Sequence, residues 1–171
     1  THPEWALRML ASGVPEFVNI KPYFEMGNSK NIAKSIAAST LFVRGGMGGH
    51  ILPPRFAQIR DLWKGKLLVK GVMDPEEAKQ YLALGADGLV VSNHGGRQLD
   101  GSRAPFDQLE AIVDAVGGRI EIIVDGGVRR GTHVLKALAM GATACSGGRM
   151  YLYALAAGGT AGVERAMTLL K

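Results

Sequence analysis

Cysteine is nearly absent from this sequence: Cys145 is the only one in 171 residues. No disulfide can form within the chain, and a lone thiol suits a reducing, intracellular setting. No apolar run approaches the roughly 20 residues that carry a helix across a bilayer. Aromatic residues make up only 6%. The net charge of +5 is scattered along the chain, without the interleaved aromatics of a single-strand binder, so nucleic acid is not an expected partner. The same positive excess favours anionic ligands or an anionic surface. The 4 histidines show no spacing that would make a metal site, so no metal is expected. What remains is a hydrophobic content of 47% with 20% charged residues, the balance of a folded domain with a core.

The chain opens on Thr1 instead of methionine, and it stops at Lys171 inside the helical pattern "TAGVERAMTLLK". A piece of a longer protein is the expectation. Residues 1–60 are the least regular part. "HPEWALRMLASG" predicts a short helix closed by Gly13, and "KNIAKSIAAS" predicts another. The glycines and prolines of "LFVRGGMGGHILPP" predict loop, and the whole region reads as an excursion.

From about residue 61 the pattern is regular. "KLLVK", "DGLVVS", "IEIIVD" and the weaker "ATACSGG" predict four strands, each followed by a helix. Asp74-Pro75-Glu76-Glu77 is a helix start, with Asp74 as N-cap and Pro75 at the first turn. Leu109, Ile112, Val113 and Val116 place one apolar face on a later helix. "LALGADGLVVS" and "LAMGATACSGG" repeat the same helix-to-strand passage. This alternation predicts an α/β fold with a parallel sheet, either doubly wound or part of a (β/α)8 barrel. A whole barrel needs about 250 residues, so this chain would hold about half of one.

In such folds chemistry gathers at the carboxyl ends of the strands. Lys70 ends one apolar strand and is either a snorkelling surface residue or a charge aimed at a ligand. "DGGVRRG", with Asp125, Gly126, Gly127, Arg129 and Arg130, and "GGR", with Gly148 and Arg149, read as backbone phosphate grips before helices. The plainer reading is two glycine turns with solvated arginines. "VVSNHGGRQLD" brings together Ser92, His94 and Arg97. A neutral imidazole is a base, and a guanidinium can clamp a carboxylate through two parallel hydrogen bonds. That pair suits attack on a carbon next to a carboxylate. His2, His50 and His133 have no comparable company.

"SNHGGRQLDG", with "LLVKG" upstream and "VDGGVRRG" and "GGR" downstream, resembles the FMN-dependent 2-hydroxy acid oxidase and dehydrogenase family, which includes glycolate oxidase, L-lactate dehydrogenase and mandelate dehydrogenase. The resemblance is strongest over residues 60–171. It implies the second half of a (β/α)8 barrel, about four β/α units. It also implies FMN as cofactor and oxidation of a small L-2-hydroxy acid to the 2-keto acid. His94 would be the catalytic base and Arg97 the substrate-carboxylate ligand. Lys70 would lie against the flavin, Ser92 would contact its ring, Asp125, Gly126, Gly127 and Arg129 would bind the ribityl phosphate arm, and Gly148 and Arg149 the phosphate. The region 15–57 would be the family's variable excursion, a peripheral membrane contact in some members. A cytoplasmic homo-oligomer, resting at the inner face of a membrane, is the matching expectation. The last strand departs from the family, with Ala144, Cys145, Ser146 and Gly147 where members carry bulky apolar residues. A non-catalytic half-barrel that binds flavin or phosphate, or pairs with a partner half, is the competing expectation.

Overall fold

The computed structural model describes residues 3–12 and 51–171. The chain divides into two compact units, Thr1–His50 and Ile51–Lys171. In the first, helix α1 (Pro3–Ser12) forms where the sequence predicts it. The expected helix in "KNIAKSIAAS" and most of the 15–57 excursion lie outside the described residues.

The second unit begins with helix α2 (Pro53–Leu62), which the proline signals led us to expect as loop. Pro53 and Pro54 start this helix: their missing N–H groups fall in the first turn, where no intrahelical partner exists. Phe56 is buried and meets the Tyr81 ring edge-on at 5.2 Å. Arg60 donates to Asp87 at 2.9 Å and to the Gly65 carbonyl at 2.7 Å. These contacts tie α2 to the regular unit, so that unit starts ten residues before the expected boundary at residue 61.

Four strand–helix passages follow: β1 (Leu68–Val72), α3 (Pro75–Ala83), β2 (Gly88–Ser92), α4 (Pro105–Val116), β3 (Glu121–Asp125), α5 (Gly131–Ala139), β4 (Ala144–Ser146) and α6 (Arg149–Leu170). Helix α6 is interrupted at Gly158 and Gly159, whose backbones leave the helical region. Asp74 caps α3, its carboxylate accepting from the Glu76 and Glu77 amides at 2.8 and 3.1 Å. The repeated passage is structural as well as textual. Gly85 and Gly141 both take positive φ, and the next amides, Ala86 and Ala142, reach back to the Tyr81 and Ala137 carbonyls at 3.0 Å. This is one helix-terminating motif used twice.

All strand pairs are parallel, in the order β1-β2-β3-β4. The order follows the chain without reversal, as in a run of consecutive units of a (β/α)8 barrel. Val72, Leu89, Val91, Ile122 and Val124 point toward the helices and join Leu109, Ile112 and Val116 in one core. The opposite face carries Leu68, Lys70, Val90, Ser92, Ile123 and Asp125, by the two-residue alternation of a strand. Burial on both faces, expected from the continuous apolar runs, holds along the whole of β2 only; β1 and β3 alternate, and Leu68 remains 45% exposed.

Asp74→Ala removes the carboxylate oxygen that accepts from the Glu76 and Glu77 amides and should lower stability by about 1 kcal/mol, read as an earlier denaturant midpoint with an unchanged slope. Asp87 is held at a pKa of about 2, first by the Leu67 amide and then by Lys66 and Arg60, against its ordinary 3.8. A depressed carboxylate stabilises the fold above the unfolded value, and that contribution fades as pH falls from about 4 to about 2. Asp87→Asn should therefore destabilise the chain at neutral pH and flatten its stability profile across that window, as followed by denaturation at a series of pH values.

Candidate functional site

The carboxyl ends of all four strands lie at one end of the sheet, because parallel pairing leaves them no other arrangement. The side chains expected there converge. Lys70 Nζ donates to Asp125 Oδ2 at 2.5 Å and to Ser92 Oγ at 2.9 Å. Ser92 Oγ donates to the same Asp125 oxygen at 2.7 Å. The His94 amide donates to Ser92 Oγ at 3.1 Å. Register explains the meeting: Ser92 pairs with Asp125 across β2 and β3, and Lys70 pairs with Val90, one alternation below Ser92. Burial would push the Asp125 carboxyl up, but hydrogen bonds from Lys70, Ser92 and Ser146 outweigh it and hold the pKa below the ordinary carboxylate range.

His94 sits just past β2 in a short 3₁₀ turn (His94–Gly96), and it takes a positive φ of 55°, unusual for a residue with a side chain. Two features hold it. The Asn93 carbonyl oxygen of the side chain accepts from the Gly96 amide at 3.1 Å, and the Asn93 amide group donates to the Arg103 carbonyl at 3.1 Å. On the other side, the imidazole rests on Gly71. The register of β1 slips between Lys70 and Val72, so Gly71 is an extra residue in the strand, at φ 98°. A Cβ on Gly71 would stand 3.0 Å from His94 Cε1. His94 itself is exposed, as is Arg97 three positions on; no side-chain hydrogen bond ties Arg97 to another described residue.

The two glycine loops lie on the neighbouring strand ends. Gly127 and Gly148 face open space where a Cβ would point. Helices α5 and α6, which follow these loops, start without a side-chain cap and without an acidic residue in the first turn. Helix α3, away from the loops, has both a cap and acids. Uncapped helix starts present partial positive charge, and Arg129 and Arg149 add to it beside each loop, chemistry suited to an anion such as phosphate. Arg149 also reaches back to the His94 turn, donating to the Gly95 carbonyl at 2.6 Å.

Gly71, Asn93 and His133 carry no candidate role in the sequence, and the structure gives each a place at this end of the sheet. His133 does have company: its Nδ1 lies 3.3 Å from both the Arg129 amide and the Gly127 carbonyl, under the first glycine loop. The signal was its place one helical turn beyond Arg129. Among the described residues no cluster of histidine, cysteine and acidic side chains could hold a metal, and no helix is long and apolar enough to cross a membrane.

The family described as FMN-dependent dehydrogenase matches residues 1–171. L-lactate dehydrogenase of Xanthomonas oryzae pv. oryzae is 42% identical over 176 residues, covering 100% of this chain and 43% of the relative. L-lactate dehydrogenase of Ectopseudomonas mendocina is 40% identical over 176 residues, covering 100% of this chain and 44% of the relative. Among solved structures, mandelate oxidase with (S)-2-phenylpropionate gives a TM-score of 0.66 at 44% identity, over 70% of this chain and 36% of that one. A mandelate oxidase mutant with a monooxide FMN adduct gives the same TM-score of 0.66 at 44% identity, over 70% of this chain and 38% of that one. The chain spans less than half the length of the curated relatives it matches.

Gly71→Ala should combine backbone strain at positive φ with pressure on the His94 ring, at a cost of about 1–3 kcal/mol. Denaturant unfolding measures the cost, and the His94 ring proton shifts report its displacement. Unchanged stability together with unchanged ring shifts would show that the imidazole does not rest there.

Proposed function

The chain belongs to the FMN-dependent dehydrogenase family, and from that membership we propose that it is the second half of a (β/α)8 barrel that oxidises a small L-2-hydroxy acid, of lactate, glycolate or mandelate type, to the 2-keto acid. The observation that carries this reading is the placing of His94. A base stands at the mouth of the sheet in a strained turn, fastened to a Lys70–Ser92–Asp125 cluster and followed at short range by Arg97.

The residues present fit FMN. Two uncapped helix starts with open glycines and arginines suit its phosphate, and Lys70 offers an ammonium to its ring system. When bound, FMN supplies the acceptor for the two electrons that leave the substrate. This chain's own residues do the rest. Arg97 holds the substrate carboxylate by charge-assisted hydrogen bonds and so fixes the hydroxyl-bearing carbon. The His94 imidazole takes the proton released there. Lys70 places positive charge where reduction gathers negative charge, and Asp125 holds that lysine in position. A cytoplasmic setting, contact with the inner face of a membrane through residues 15–57, and assembly as a homo-oligomer belong to the same proposal and rest on the resemblance of that stretch to the family's excursion.

The exposed side of the sheet favours one further point. Leu68 and its neighbours on that face need cover, so a half-barrel that binds flavin without turnover is the reading to set against catalysis by the complete barrel. Anaerobic addition of an L-2-hydroxy acid to the FMN-loaded full-length protein separates the two. Bleaching of the flavin absorbance supports catalysis; bound flavin that never bleaches with any such acid supports the binding module.

In that protein His94→Gln should lower kcat by about 10²–10⁴-fold while substrate still binds. Arg97→Met should raise KM, each lost charge-assisted hydrogen bond being worth roughly 1.5–3 kcal/mol. Steady-state kinetics with a carboxylate inhibitor as binding probe decides. Near-normal turnover in His94→Gln, or unweakened inhibitor in Arg97→Met, would contradict the roles.

A further inference from the structure

Three consecutive residues after β2 take positive φ: His94 at 55°, Gly95 at 69° and Gly96 at 73°. They make one turn of left-handed backbone, a conformation that glycine tolerates and histidine resists. A single amide closes this turn. Gly96 N donates both to the Asn93 main-chain carbonyl at 3.0 Å and to Asn93 Oδ1 at 3.1 Å. The other end of the same side chain acts ten residues away, where Asn93 Nδ2 donates to the Arg103 carbonyl at 3.1 Å. Helix α4 begins just beyond that point. The partners fix which way the carboxamide points, since its oxygen meets a donor and its nitrogen meets an acceptor. Arg97 lies between the two anchor points. Residues 97–101 are all exposed. Among the described residues, the only side-chain hydrogen bond that ties 97–103 to the rest of the unit is the one from Asn93. Asn93 itself sits beside the start of α4: its Oδ1 lies 3.8 Å, and the Pro105 ring 3.3 Å, from the point where a Cβ on Gly126 would stand.

We propose that Asn93 is a positioning residue with two separable tasks: its carboxamide oxygen sets the turn that carries His94, and its amide nitrogen sets the span that carries Arg97. The chain leaves the left-handed turn at Gly96 and is caught again at Arg103, and one side chain makes both fastenings. His94 and Arg97 must reach one substrate together, so the span between them has to keep its shape. Exposed residues offer little packing to do this. A carboxamide suits the neck of such a loop because it presents an acceptor and a donor side by side on a short stem. Both of its partners are backbone groups of its own loop, so the arrangement is local to residues 93–103. This inference rests on the proposed function for what His94 and Arg97 do, but not for how their loop is held.

The test compares Asn93→Asp, Asn93→Ser and Asn93→Ala in the full-length FMN-loaded protein. Aspartate and serine keep an oxygen for the Gly96 amide and lose the donor to Arg103; alanine loses both. Losing one hydrogen bond corresponds to roughly a fivefold change in a local opening equilibrium. In the aspartate and serine variants we expect amide exchange over 98–103 to speed up about fivefold while exchange at Gly96 stays within about twofold of the parent. KM and the dissociation constant of a carboxylate inhibitor should rise about fivefold in both, with kcat within about twofold. In the alanine variant exchange at Gly96 should speed up as well, and kcat should fall about tenfold as His94 loses its alignment. Agreement between a charged and an uncharged replacement separates the lost donor from the added charge. Parent-like exchange across 94–103 in Asn93→Ala would overturn the proposal. So would aspartate and serine variants that lose kcat as fully as alanine while the inhibitor binds as in the parent. If the alanine variant does not fold, the other two decide: faster exchange over 98–103 with Gly96 unchanged supports the two tasks, and equal change at both places overturns them. A parent whose flavin never bleaches with a 2-hydroxy acid defeats the proposed function alone, since the exchange comparison still decides how the loop is held.

Discussion

Parallel pairing over a helix-covered apolar face is the constraint on which the described unit depends. Leu89, Val91, Ile122 and Val124 must stay on the helix side, together with Leu109, Ile112 and Val116. A slip of one residue in any strand would turn those side chains to the opposite face. The same alternation then leaves Lys70, Ser92 and Asp125 on the other side, at the same end. The polar cluster is thus a by-product of the register that the core enforces. Hydrophobic burial aligns the strands, and the aligned strands bring a lysine, a serine and an aspartate within hydrogen-bonding distance.

The bulge at Gly71 is the one irregularity this register carries near the site. It bends β1 just after Lys70, removes a side chain, and leaves space that the His94 ring fills. Lys70 and the glycine under the His94 ring are therefore consecutive residues of one strand. Change at that point would be felt by both Lys70 and His94. The start of α6 and the His94 turn still touch through Arg149 and the Gly95 carbonyl.

The far end of the sheet has a different character. Arg60, Lys66 and Asp87 form an ion-paired knot where α2 meets the strand starts. Its groups satisfy one another and the surrounding backbone, with Asp87 also accepting from the Leu67 amide at 2.9 Å. It fastens the unit at the end of the sheet opposite the Lys70–Ser92–Asp125 cluster.

Much of this organisation could be read from the residues. The strand runs, the Asp74 cap, the repeated glycine exits and the polar strand ends all depend on neighbours within a few positions, and local preference together with burial period determines them. Helix α2 was misread because prolines that start a helix look the same in sequence as prolines that break one; only the docking of Phe56 on Tyr81 and of Arg60 on Asp87 tells them apart. The unreversed strand order needed the strand neighbours, since barrel and doubly wound topologies share the same alternation. The sequence by itself determined the four strand–helix passages, the end of the sheet where polar side chains collect, and the residue types gathered there. Tertiary structure alone decided that Ser92 bridges Lys70 and Asp125, and that Gly71 makes room for the imidazole, because those contacts join positions 22 to 33 residues apart and depend on register that no single segment encodes.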